Sequence, residues 1–474
     1  MAKIKKAWFC TACGNESPKW MGKCPACGEW NSMVEEIVNK SPDNSSLTSR
    51  AQSFLQSAGN TKPQPLPQIE SGQESRIILG AGMDNLSGRG NALCCGGNEL
   101  DRVLGGGMVK GSLVLIGGEP GIGKSTLSLQ IPLMNNGLRT LYVSGEESAK
   151  QIKMRAERLG GVHENCLVLS ETLLENILNE ARNTQPQLLI IDSIQTIYSQ
   201  NIESSAGSVS QVRECAASLL RYAKETGTPV ILIGHITKDG TIAGPKVLEH
   251  IVDVVLQFEG DTRHAYRILR SIKNRFGSTA ELAVYQMCSD GLKEVLNPSE
   301  MFIPMHGENL SGIAVAAMLD GSRPFLIEVQ ALVSTAAYGT PQRSATGFDV
   351  RRMNMLLAVL EKRVGFKLSQ KDVFLNIAGG LKVADPACDM AIVAAILSSN
   401  FDENVPAGYA FAGEIGLSGE IRPVSQIEKR IAEAAKLGME KIFVSAFNKP
   451  QGKPYKGLQV VPVATVAELV KQIF

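Results

Sequence analysis

Through the middle of the chain two patterns alternate. Short apolar runs at residues 112–116, 140–144, 188–193 and 229–233 have the length of buried strands, and each ends in or gives way to Gly, Ser or an acid. Between them lie stretches whose apolar positions recur at helical spacing, 126–133 and 212–226 among them. Strands alternating with helices predict a parallel sheet with crossover helices, and in such sheets ligands sit at the carboxyl ends of the strands. From about residue 299 a second alternation begins, with strands predicted at 312–319 and 325–332 and helices at 350–363 and 390–398. Residues 37–75 show neither pattern. Ser, Asn, Gln and Pro dominate there, as in Ser41-Pro42-Asp43-Asn44-Ser45-Ser46. Such a stretch buries too little apolar surface to offset the entropy of ordering it, so it reads as a flexible linker.

The turn after the first of these strands is Gly118-Glu119-Pro120-Gly121-Ile122-Gly123-Lys124-Ser125, the G-x-x-x-x-G-K-[ST] pattern of a phosphate-binding loop. Glycines let successive backbone N–H groups curl around a polyphosphate, and the helix N-terminus adds a partial positive charge. Lys124 is expected to reach the β- and γ-phosphates, Ser125 to hold Mg²⁺, and Thr126 to complete the nucleotide-binding stretch. Asp192 closes an apolar run at a strand end, where it can hold Mg²⁺ through water. Glu146, at the first position off another strand, is preferred over Glu147 as the group that orients and deprotonates the attacking water.

A chain of 474 residues is too long for one core, and 44% apolar with 20% charged residues is the composition of a globular protein. The formal net charge of +1 excludes a positive field over the whole molecule, so contacts with nucleic acid have to come from local basic patches. No apolar run approaches the roughly 20 residues that span a bilayer. The first residues reach a Cys before any long apolar run, so no signal peptide is expected and a reducing, cytoplasmic setting follows. In that setting Cys10-Thr11-Ala12-Cys13-Gly14 and Cys24-Pro25-Ala26-Cys27-Gly28 read as two knuckles closing a four-thiolate zinc site, a structural one with no open position, in preference to disulfides or a redox pair. Trp8, Trp20 and Trp30 are expected to pack around the metal.

Glu99-Leu100-Asp101-Arg102-Val103-Leu104-Gly105-Gly106-Gly107, the phosphate loop and Gly145-Glu146-Glu147-Ser148 together resemble the RecA superfamily of ATPases. Lys273-Asn274-Arg275-Phe276-Gly277 and the cysteine knuckles narrow the resemblance to its bacterial DNA repair branch. Ala384-Asp385-Pro386-Ala387-Cys388-Asp389 and Phe411-Ala412-Gly413-Glu414-Ile415-Gly416 resemble the proteolytic domain of Lon. The fold class implied is α/β: a zinc ribbon or knuckle at 1–36, the linker at 37–75, a RecA-like P-loop core at 76–297 and a Lon-protease-like α+β domain at 298–474. The Ser and Lys of an active Lon domain correspond to Ala387 and Glu428. Cys388 and Lys429 lie one residue away, which on a helix is a turn of about 100°, so a proteolytically inactive scaffold is expected.

In ring-forming relatives a Lys-x-Arg pair placed as Lys273 and Arg275 reaches the neighbouring subunit's ATP, so the resemblance implies a catalytic role in trans; contact with DNA phosphates is the rival reading. Loops at 199–210 and 237–245 are expected, on the same resemblance, to line a DNA channel, with Arg343, Arg351, Arg352, Lys362, Arg363 and Lys367 as a second basic patch. The activity implied is a DNA-dependent ATPase using ATP, Mg²⁺ and Zn²⁺, a homo-oligomer expected to be a hexameric ring. It would act on single-stranded and branched DNA with the RecA recombinase, as a helicase-like motor for branch migration and heteroduplex extension in homologous recombination and break repair. The alternative is an ATP-switched regulatory scaffold without motor activity.

Overall fold

The computed structural model describes residues 5–10, 15–26, 28–38, 76–79, 99–235, 246–260, 266–295, 297–299, 303, 310–336, 341–380, 382–449 and 455–474. Linker residues 39–75, the zinc-ligand candidates Cys13 and Cys27, and the loop predicted at 237–245 lie outside the described residues. The chain divides into two compact units, Met1–Glu294 and Val295–Phe474.

The first unit opens with a small antiparallel sheet of β1 (Lys5–Cys10), β2 (Glu16–Ser17) and β3 (Met33–Val38), in the order β2-β1-β3. Cys10 and Cys24, one from each knuckle, are buried in the same cluster with Met33, and Trp8 packs against it. Trp20 and Trp30 do not follow the expectation. They are 54% and 68% exposed, and both lie in the connection between β2 and β3, outside the cluster that Trp8 packs against.

After the two-residue pair β4 (Arg76–Ile77) and β5 (Met108–Val109), the main sheet is built from β6 (Leu113–Gly118), β7 (Thr140–Ser144), β8 (Cys166–Ser170), β9 (Leu188–Asp192), β10 (Val230–His235), β11 (Val254–Glu259), β12 (Tyr266–Asn274), β13 (Leu282–Cys288) and β14 (Gly291–Glu294). Its order is β14-β13-β12-β11-β6-β10-β9-β7-β8, parallel from β11 to β8 and antiparallel from β11 to β14. The apolar runs are unbroken because both faces are covered. Val114, Ile116, Ile190 and Ile233 enter one core, and Leu113, Leu115, Leu189 and Leu232 enter the other. Strand β12 takes in Lys273 and Asn274, the first two residues of the Lys273–Gly277 motif.

The second unit centres on a seven-stranded mixed sheet of β15 (Ile313–Asp320), β16 (Arg323–Thr335), β17 (Arg343–Thr346), β18 (Lys371–Ile377), β19 (Tyr409–Ala412), β22 (Lys441–Ser445) and β23 (Gln459–Val463), with β20 (Glu414–Ile415) and β21 (Ile421–Arg422) as a separate hairpin. Helix Asp389–Phe401 is apolar nearly all round and correspondingly buried from Asp389 through Ser398. The helix predicted over 350–363 is α-helical over Val350–Val359 and closes with a wider π turn, Leu360–Val364.

Candidate nucleotide site

The phosphate loop joins β6 to helix Lys124–Met134. Gly123 caps that helix with φ +118°, in the left-handed region, and a Cβ there would stand 3.0 Å from Met287 Cε and 3.2 Å from Leu292 Cδ1. The loop residues Gly118, Glu119, Pro120, Gly121, Ile122 and Gly123 thus lead directly into Lys124, Ser125 and Thr126 on the first helical turn. Lys124 is only 3% exposed, and its Nζ donates to the carbonyls of Gly118 (2.8 Å) and Glu119 (2.9 Å). Burial pulls its pKa down to about 8, against the opposing charges of Asp192, Glu146 and Glu119.

Those charges come from neighbouring strand ends. Asp192 ends β9, one strand beyond the β10 that flanks β6, and pairs in register with Ser144 at the end of β7. Glu146 follows two residues later. Tyr142 donates its hydroxyl to Asp192 Oδ2, and its own pKa is pushed well up by burial and by that carboxylate. Ser193 Oγ donates to Glu146 Oε1 at 2.6 Å. Ser144 Oγ accepts from the N–H groups of Glu146 (3.4 Å) and Glu147 (3.0 Å). The two glutamates therefore part company: Glu147 is ion-paired with Arg155 on the next helix, while Glu146 faces Asp192's strand end. Gly145 has to be Gly, since a Cβ would lie 2.2 Å from Thr196 Oγ1. The sequence patterns do not single out Tyr142, Ser144 or Ser193. A hydroxyl beside each strand-end acid was the available signal.

The Lys273–Gly277 corner lies elsewhere. Lys273 pairs with Val255 and Val255 with Leu115, whereas the phosphate end of β6 is where Gly117 meets Gln257. Arg275 N–H donates to Asp253 O, and Asp253 N–H to Leu113 O, at the amino end of β6. Leu113 and Gly118 are separated by roughly 16 Å of strand. Lys273 Nζ donates to the carbonyls of Glu249 (2.6 Å) and Val252 (2.7 Å) at the end of helix Lys246–Ile251. Arg275, with its side chain 57% exposed, stands 3.6 Å from Asp253. Asn274 ties the corner to the Gly-rich turn by donating to Leu104 O (3.2 Å) and Val103 O (3.4 Å), and Gly277 abuts Gly105.

Of the predicted loops, residues 199–208 are described; Val209 and Ser210 belong to helix Val209–Thr226. Gln211, 1% exposed, buckles this loop by donating to the carbonyls of Ser199 (3.1 Å), Ile202 (2.7 Å) and Ser204 (3.0 Å). In the second unit Ala387 and Cys388 are fully buried, and burial pushes the Cys388 thiol well up. Glu428 and Lys429 lie in the first turn of helix Ile427–Lys436, and Lys429 donates to Ser322 O at 3.2 Å. Arg430 is buried on that helix with Ile427, Ile431 and Ala434, and is bound to Asp385 at 2.6 Å and to Ala317 O at 2.7 Å. Arg352 turns inward to the buried Asp389 and so leaves the expected basic patch, while Arg343 is half-buried against Asn354; Arg351, Lys362, Arg363 and Lys367 are exposed.

A phosphate loop with a buried lysine, faced by two strand-end carboxylates, defines this as a P-loop ATPase. Residues 95–241 match the family described as AAA domain, residues 8–35 that described as rubredoxin metal binding domain, and residues 332–448 that described as subunit ChlI of Mg-chelatase. The ChlI match falls within the stretch expected to be Lon-like. The chain is 48% identical to a DNA repair protein RadA of Bacillus subtilis, over 99% of both chains. It is 47% identical to that of Halalkalibacterium halodurans, over 99% of both, and 47% identical to that of Listeria monocytogenes, over 100% of this chain and 99% of the other. The chain belongs to the RadA family of DNA repair proteins. Cys10 and Cys24, buried together, fit a zinc-ribbon shell, which when filled fixes the fold of so small a sheet.

Proposed function

We propose that the protein is a DNA-stimulated ATPase that assembles into a ring, moves on single-stranded DNA and extends joints between strands alongside the RecA recombinase, in recombination and break repair. Lys124 neutralises the β- and γ-phosphates of ATP, and the loop N–H groups hold them. Ser125 and Asp192 would hold Mg²⁺, which when bound neutralises charge on the transferring phosphoryl group. Glu146 orients the attacking water and takes its proton. Cys10, Cys13, Cys24 and Cys27 form the zinc shell. Arg275, aided by Lys273, serves the ATP of the adjoining copy, and the loop at 199–208 contacts DNA.

The observation that carries this reading is the separation within one subunit: the corner with Lys273 and Arg275 lies at the opposite end of β6 from its own phosphate loop. That separation supports service to the adjoining copy's nucleotide over their own, and Arg275, paired with Asp253 at 3.6 Å, keeps 57% of its side chain exposed. ATP turnover with and without single-stranded DNA is the test. Stimulation is expected in the native protein, and Lys124→Ala should reduce turnover by at least about 10²-fold. Equal rates with and without DNA would refute the motor.

A further inference from the structure

We propose that Ser193 is the positioning residue of Glu146, acting through the hydrogen bond between them. This rests on the reading of Glu146 as the group that orients water. Two acids stand at the ends of β7 and β9, and a carboxylate on a turn has several rotamers open to it. Glu146 lies two residues past the end of β7, so its backbone alone does not aim its head group. Two hydroxyls do. Ser144 holds the backbone, taking the N–H groups of Glu146 and Glu147. Ser193 holds the head group, donating to Oε1 at 2.6 Å.

Ser193 is itself immobile. It is wholly buried, directly follows Asp192, and its carbonyl accepts both the N–H of Thr196 (3.2 Å) and the Thr196 hydroxyl (2.8 Å). Thr196 in turn fills the space that a side chain at Gly145 would need. The turn 193–196 and the turn 145–147 are therefore locked together, and the hydroxyl of one reaches the carboxylate of the other. One carboxylate oxygen accepts from Ser193, and that bond fixes how the head group is turned. Asp192 and Glu146 are held by separate donors, Tyr142 and Ser193, so the two acids keep separate positions.

The experiment is Ser193→Ala in the full-length protein, compared with Glu146→Gln and with the double variant. Loss of one positioning hydrogen bond to a charged group is expected to lower kcat roughly tenfold with KM for ATP and melting temperature unchanged. On the Glu146→Gln background the second change should cost nothing further, since Ser193 acts only through that side chain. Unchanged or faster turnover in Ser193→Ala, or an equal further loss from the residual turnover of Glu146→Gln in the double variant, overturns the proposal while Glu146→Gln itself stays impaired. Full turnover in Glu146→Gln would instead overturn the role given to Glu146.

Discussion

Lys124 sits between burial, which favours its neutral form, and three carboxylates that favour the ammonium; burial wins, and its pKa falls to about 8. In the nucleotide-free protein the ammonium is therefore intact below about pH 8 and loses its proton above that. Polyphosphate prefers the charged form, so above pH 8 part of the binding energy goes into recovering a proton. ATP affinity should be flat up to about pH 8 and then weaken, approaching tenfold per pH unit. Titration of a fluorescent ATP analogue across pH 7 to 10 checks this, and a constant Kd over that range contradicts it. The folded pKa lies below the unfolded value of 10.5, so the same shift makes the nucleotide-free fold gain stability as pH rises from about 8 toward 10.5. At this scale Lys124 and Asp192 are legible in the sequence because a fixed backbone motif or a strand end dictates them. The distinction between Glu146 and Glu147 is not. It depends on Arg155 and Ser193, and Ser193 comes close only because β7 and β9 are neighbours, which no spacing along the chain reveals.

Among the elements, β12 shows how one motif can divide its labour. Lys273 caps the carbonyl end of helix Lys246–Ile251, and Asn274 fastens the corner to the turn at Gly105, while Arg275 pairs with Asp253 and keeps more than half of its side chain in solvent. Desolvation lowers the Lys273 pKa, with the Arg275 charge adding to it. The pair should therefore separate by mutation. Lys273→Ala leaves two helix-end carbonyls without their donor and is expected to cost about 1–2 kcal/mol in urea denaturation. Arg275→Ala should stay within about 0.5 kcal/mol of the native value while losing DNA-coupled hydrolysis. Equal stability losses would show that the two side chains share one structural job. The sequence carried the motif but not its division, since the helix that Lys273 caps lies more than twenty residues upstream. Similarly, the loop at 199–208 reads as flexible from its Ser and Gly content, yet the single amide of Gln211 holds three of its carbonyls.

For the molecule as a whole, the strand–helix alternation made the parallel sheet legible, because strands covered on both faces must be apolar throughout. The antiparallel extension β12 to β14 was less so: its strands carry polar residues such as Arg270 and Gln286 and lack helices between them. In the second unit, the two positions that the resemblance assigns to the Ser and Lys of a Lon domain carry the buried Ala387 and, in the first turn of helix Ile427–Lys436, Glu428, with the Arg430–Asp385 ion pair close to both in sequence. Removing one partner of a buried pair of this kind strands the other charge and costs about 3–5 kcal/mol.

The Arg275 corner and the phosphate loop stand at opposite ends of β6. If each working centre takes its lysine from one molecule and its arginine from the next, two crippled preparations can repair each other. Lys124→Ala and Arg275→Ala proteins, each inert alone, should regain turnover when dissociated and blended in equal parts, because roughly one junction in four then unites two undamaged halves. A blend as silent as its ingredients would mean that every copy burns its fuel unaided.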